Sequence, residues 1–234
     1  MTLLEQFIEL LYSQVDRAIY VWGGDGQILD DMDKPREWIE RHESSPTDAS
    51  RAIRLYNKRV AAGLTDIRAF DCSGLVYWAL HTLGLQKSDV SSRGLYNLSV
   101  HIDKKQLRAG DLVFHHNGTR IVHVGVWMSD SSQIECRVRD YGVVVNKRSA
   151  GYWNRFGRWK AFEDEPLPAP TDVYVKGGSV NVRDADNKKG KIVGVAHRGE
   201  QYPLLGTADS GWYRIEFRGK ASYISNRADL TEVR

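Results

Sequence analysis

Pro166, Pro168 and Pro170 fall within five residues, directly after the acidic cluster Glu163-Asp-Glu165. A proline run of this kind breaks helices and stiffens the chain into an extended connector. The 234-residue chain is therefore expected to divide into a domain over residues 1–162, a linker over 163–171 and a second domain over 172–234. Before the seam the pattern mixes helices with strands; after it the pattern is all β. The fold class that follows is α+β, a helix-plus-antiparallel-sheet domain followed by a small all-β barrel.

In the first part, apolar spacing predicts a helix over about Leu3 to Ala18, then a Gly-rich turn at Val21-Trp-Gly-Gly-Asp-Gly26. Residues 34–62 are polar, with apolar positions at Trp38, Ile39, Ile53, Leu55 and Val60, which fits one or two surface helices. Asp71-Cys-Ser-Gly74 precedes Leu75, Val76, Ala79, Leu80 and Leu83 at helical spacing, with Gly84 as the stop. Strands are expected at Leu112 to Phe114, Ile121 to Met128, Gln133 to Arg139 and Gly142 to Val145, with turns at Gly110-Asp111 and across residues 129–132. In the second part, short strands are expected at Ser179 to Arg183, Ile192 to Ala196, Gln201 to Leu205, Trp212 to Phe217 and Ala221 to Ile224. Turn residues between them include Asn187, Gly190, Gly199, Asp209-Ser-Gly211 and Gly219.

Charge and composition narrow the partners. A net charge of +3, with 41% hydrophobic and 27% charged residues, carries no nucleic-acid signature. No apolar run is long enough to span a bilayer, so no membrane partner is expected. Glu5 and Glu9 interrupt the first apolar stretch, which lacks a basic start and a cleavage site. It reads as a mature helix rather than a signal peptide. The chain has two cysteines, Cys72 and Cys136, in such different neighbourhoods that separate roles are expected rather than a bridge.

Cys72 opens an apolar helix, where unsatisfied N–H groups and the helix dipole favour a thiolate. A small buried residue would also suit that position. A thiolate nucleophile needs a base, and His123 is the candidate. On its strand, Ile121, His123, Gly125 and Trp127 share one face, opposite an aliphatic face that is expected to be the buried one. His123 then faces a surface or cleft, and Gly125 leaves room beside it for another group. A third polar group orients the base in such sites. Glu135, twelve residues on, shares a face with His123 as its diagonal neighbour if the hairpin loop is odd in length. The same parity buries Cys136. His115 and His116 invite a zinc reading with His123 and Cys72. Adjacent strand residues point to opposite faces, however, and no metal-ligand spacing supports it. A surface loop is expected there, with neither metal nor cofactor.

Tyr20-Val-Trp-Gly-Gly24, Asp71-Cys-Ser-Gly74, Gly110-Asp-Leu-Val-Phe114 and His123-Val-Gly125 occur in order, and in this the chain resembles the NlpC family of papain-like cell-wall peptidases over about residues 5 to 162. The segment from Lys34 to Ala69 resembles the insertions of phage-encoded members. The resemblance implies Cys72 as nucleophile, His123 as base and Glu135 at the third position, with Gln133 and Asp140 as fallbacks. That position is often histidine in the family; a carboxylate can instead accept the Nδ1–H bond. Tyr20, Trp22, Asp71 and Ser73 are implied on the substrate side. The implied reaction is acyl transfer on peptidoglycan stem peptides, usually at the bond between γ-D-glutamate and a diamino acid. Two alternatives stay open: an N-acetylmuramoyl-L-alanine amidase using the same residues, and a non-catalytic wall-binding or phage-tail protein.

Gly178-Ser-Val-Asn-Val-Arg183, Gly199-Glu200, Gly211-Trp-Tyr213 and Tyr223-Ile-Ser225 resemble bacterial SH3-like wall-binding domains over about residues 172 to 232. Trp212 is expected in that core, and Lys188, Lys189 and Lys191 at a solvated hairpin tip. The combination implies action at the bacterial cell wall; with no signal peptide read, an endolysin released by phage lysis is expected.

Overall fold

The computed structural model describes residues 1–129, 132–165, 172–208 and 210–233. Most of the expected linker (166–171), half of the turn at 129–132 and Asp209 lie outside the described residues. The chain divides into two compact units, Met1–Leu167 and Pro168–Arg234.

In the first unit, helix α1 (Leu3–Gln14) starts at a capping box in which Thr2 and Glu5 satisfy each other's backbone N–H. It ends four residues short of the expected Ala18, where Asp16 takes a positive φ of 60°. Strands β1 (Ile19–Tyr20) and β2 (Asp25–Ile28) follow, then helices α2 (Pro35–His42) and α3 (Pro46–Ala61), then β3 (Arg68–Phe70). The three strands form a small sheet in the order β1-β3-β2. The helices between them do more than cover a surface. Ile39, Ala52, Leu55 and Tyr56 pack with Ile19, Val21, Leu29, Ile67 and Ala69 into a core cluster of their own.

Helix α4 (Cys72–Thr82) ends at Leu83, with Gly84 in the left-handed conformation (φ 72°) directly after it. Next come α5 (Ser92–Leu98), β4 (Val100–His101), β5 (Leu112–His116), β6 (Ile121–Ser129), β7 (Ser132–Cys136), β8 (Val143–Asn146) and β9 (Arg155–Arg158). The last six strands form one antiparallel sheet in the order β4-β9-β5-β6-β7-β8. Leu75, Val76, Ala79 and Leu80 are buried on α4, which packs against β6 and β7. The α+β class is therefore observed, with α4 and the central strands meeting at the site described below.

The second unit holds β10 (Asp172–Val175), β11 (Ser179–Arg183), β12 (Ile192–His197), β13 (Gln201–Thr207), β14 (Tyr213–Phe217), β15 (Lys220–Ile224) and β16 (Thr231–Val233). They form a sheet in the order β12-β11-β15-β14-β13-β10-β16. Alternate residues Val173/Val175 and Val180/Val182 point inward onto Ala196, Ile215, Phe217 and Ile224. Trp212 is not among them. It lies half-buried, whereas Phe217 is buried in this core with Tyr202 and Tyr213 packed against it. The three lysines lie exposed between paired β11 and β12, as expected.

Candidate active site

Asp71 builds the site's entrance. Its backbone is extended, and its Oδ1 accepts the Gly74 N–H at 2.8 Å, which starts α4 at Cys72. Ser73 Oγ donates to the same oxygen at 2.9 Å, and Oδ2 accepts the Gly23 N–H at 3.1 Å. The Asp71 N–H in turn donates to the Gly24 carbonyl at 2.7 Å. Gly74 permits this docking, since a Cβ there would lie 1.9 Å from the Gly24 oxygen. Asp71 and Ser73, expected on the substrate side, thus hold the helix cap and the Gly-rich turn together.

Cys72, the first residue of α4, lies near the His123 ring and acts to keep the imidazole protonated. His123 Nε2 meets Glu135 Oε2 at 2.5 Å. The carboxylate therefore takes Nε2, not the expected Nδ1, and Nδ1 is left for the thiol. The β6–β7 register, with Val126 opposite Ile134, sets Glu135 across from Gly125 and makes His123 its diagonal neighbour. Of the fallbacks, Gln133 accepts the Trp153 Nε1–H at 3.3 Å, while Asp140 pairs with Arg51 at 2.6 Å.

Val124 and Val126 on the aliphatic face of β6 are buried as expected, but the start of the strand departs from that pattern. His123 is only 9% exposed, whereas Val122 on the aliphatic face is 38% exposed. Trp153 provides the cover, stacking on the imidazole with centroids 5.6 Å apart and 13° between planes. It occupies the room beside Gly125, where a Cβ would lie 3.1 Å from the indole. His115 and His116 belong to β5 rather than to a loop. His115 sits opposite His123 in register and stacks on Tyr152 at 4.4 Å.

Burial alone would lower the His123 pKa. The bonds and charges of Cys72 and Glu135 overcome that and hold it at about 9. Burial alone would raise Glu135, yet hydrogen bonds from His123 and Arg148 bring it to about 2. Sequence reasoning missed Arg148, whose Nε donates to Oε1 at 2.6 Å and Nη2 to Oε2 at 2.5 Å. It lies outside any regular element, where periodicity carries no signal. Cys136 is wholly buried, with Sγ 3.3 Å from the Phe70 carbonyl; burial pushes its thiol up, and both cysteines are free.

The wall near Tyr20 was also missed. Tyr20 is buried close to Cys72, and burial, followed by the Cys72 and Asp71 charges, keeps its hydroxyl protonated far above the usual range. Arg139 lies 4.6 Å over its ring and is gripped by Glu43, which also accepts the Trp22 N–H at 3.2 Å. Trp22 itself is 60% exposed.

Residues 57–158, which span Cys72, His123, Glu135 and Arg148, match the NlpC/P60 family. The first unit carries an NlpC/P60 domain. Residues 178–228 match the bacterial SH3 domain, so the chain joins an NlpC/P60 domain to an SH3 domain. The probable endopeptidase p60 of Listeria grayi is 32% identical over 87 residues, covering 37% of this chain and 16% of that protein. The bifunctional muramidase/DL-endopeptidase CwlT of Bacillus subtilis is 32% identical over 98 residues, covering 39% of this chain and 29% of its own length. The chain thus spans less than a third of either curated relative. Among solved structures, the P60 domain of an antigen from M. avium subspecies paratuberculosis is 26% identical, with a TM-score of 0.45 over 67% of this chain and 93% of that one.

Proposed function

We propose that this chain is a peptidoglycan endopeptidase with Cys72 as nucleophile, His123 as acid and base, and Glu135 as the group that orients His123. The placement of Cys72 at the start of α4, near a His123 whose Nε2 is held by Glu135, carries the reading. The endopeptidase names of the NlpC/P60 relatives support a wall-peptide substrate.

The chemistry follows from the atoms in place. With Glu135 ionised on Nε2, the imidazolium presents Nδ1–H to the sulfur and stabilises a thiolate. The thiolate attacks the amide carbonyl carbon, and negative charge moves to the carbonyl oxygen. When the C–N bond breaks, the amine leaves with the Nδ1 proton and a thioester remains. Neutral His123 then takes a proton from water, hydroxide attacks the thioester, and the carboxylic acid departs as the thiolate–imidazolium pair re-forms. Glu135 keeps its charge throughout and holds the ring. The favoured bond joins γ-D-glutamate to a diamino acid, with Tyr20, Trp22, Asp71 and Ser73 on the substrate side. The SH3 domain would hold the enzyme at its polymeric substrate and raise the local concentration of the peptidase there.

The test is mass spectrometry of fragments released from purified peptidoglycan by the wild type and by Cys72→Ala. New ends at the γ-D-glutamyl bond, made only by the wild type, are the expected result. Free lactyl groups on the glycan with whole stem peptides released would make the protein an amidase instead. No cleavage of several wall types would leave a wall-binding protein.

A further inference from the structure

Glu135 does not meet His123 alone, and the residue behind it is charged. Arg148 reaches both Glu135 oxygens through Nε and Nη2, and its Nη2 and the His123 Nε2 converge on the same atom, Oε2. The Glu135 side chain is fully buried and that of Arg148 is 17% exposed. The arginine is itself fixed: its backbone N–H donates to Gln133 Oε1 at 3.2 Å, and its guanidinium lies 4.4 Å over the Tyr152 ring. A planar fork of this kind sets the plane of a carboxylate as well as its distance.

We propose that Arg148 is a positioning residue for the His123–Glu135 pair, fixing which carboxylate oxygen faces the imidazole and offsetting the carboxylate's charge. The proposal rests on the reading of Cys72 and His123 as nucleophile and base. Its two parts are separable. The fork aims Oε2, and so governs how often the imidazole is in line for reaction. The positive charge offsets part of the Glu135 charge that His123 feels.

The charge has a definite sign. A nearby cation favours every proton release in its surroundings, and its removal raises the pH at which each release occurs. Loss of Arg148's charge must therefore shift both limbs of the Cys72–His123 pH profile to the alkaline side. The other groups around the pair stay constant across the variants. They are Asp71, Tyr20 and Cys136 near Cys72, Tyr152 under Arg148, Arg137 near Tyr152, Arg139 against Tyr20, and His115 on β5.

The experiment measures Cys72 alkylation by iodoacetamide and peptidoglycan hydrolysis against pH in the full chain, for wild type, Arg148→Gln and Arg148→Lys, with thermal melting as the folding control. In Arg148→Gln both limbs move up by roughly one pH unit, and hydrolysis at the optimum falls about tenfold. Arg148→Lys keeps the charge and loses the fork, so its limbs stay at the wild-type pH while its hydrolysis remains reduced. A folded Arg148→Gln with unmoved limbs overturns the proposal, as does Arg148→Lys with limbs shifted or with full activity. If the glutamine variant does not fold, the lysine variant alone decides by those criteria. A wild type whose Cys72 alkylates with the same pH dependence before and after His123→Ala overturns the nucleophile reading itself, and the proposal falls with it.

Discussion

Glu135→Gln keeps the shape of the side chain and removes its charge. His123 stands at about 9 against an ordinary 6.5, which corresponds to roughly 3 kcal/mol in favour of the imidazolium. Glu135 contributes both a hydrogen bond and a charge to that preference, so loss of the carboxylate should bring the His123 midpoint down. A pKa raised in the folded state contributes stability fully present below the unfolded value, near 6.5, and lost as pH rises through about 9. The variant is therefore expected to melt further below wild type at about pH 6 than at about pH 9.5. It also leaves Arg148 beside a neutral amide in a closed site, a change that costs about 3 kcal/mol. For a protein of this size that lowers the melting temperature by roughly 6–12 °C. NMR titration of the His123 ring protons, with thermal melts at both pH values, reads all three quantities. A His123 midpoint unchanged from wild type would refute the assignment of Glu135 as the group that holds the imidazolium.

Two further perturbations test the scaffold around the pair. Gly74→Ala places a Cβ against the Gly24 carbonyl oxygen; urea unfolding should show a loss of about 3 kcal/mol, and a loss under about 1 kcal/mol would mean that the Gly-rich turn yields freely. Glu43→Gln weakens the grip on Arg139 and on the Trp22 N–H. KM for wall fragments should then rise several-fold while kcat stays within about twofold, and an unchanged KM would remove Trp22 from the substrate side.

The parts of the site legible in the sequence are those that a period or a cap announces. Apolar residues at helical spacing after Cys72 specified the start of α4, while the capping role of Asp71 emerged only from the structure. Two-residue alternation placed Glu135 on the His123 face and Cys136 in the core. Arg148, Tyr152 and Trp153 come from an irregular stretch between β8 and β9, and only tertiary packing brings them to the pair. For the same reason the cover over His123 was missed, although Gly125 marked the space that Trp153 fills. The short strands β1 to β4, together with β10 and β16, run for two to four residues, too few for alternation to register. The Glu43–Arg139 contact joins residues 96 positions apart, a separation that local patterning does not reach.

The placement of the two cysteines gives this protein an internal gauge. One thiol stands at the head of α4, and the other is sealed beneath the sheet with no exposed surface. A small alkylating reagent should thus add a single mass increment to each intact molecule and two to each unfolded one. The ratio of the two products, read from one spectrum, would report the folded fraction of a preparation alongside its content of working sites, with no substrate added.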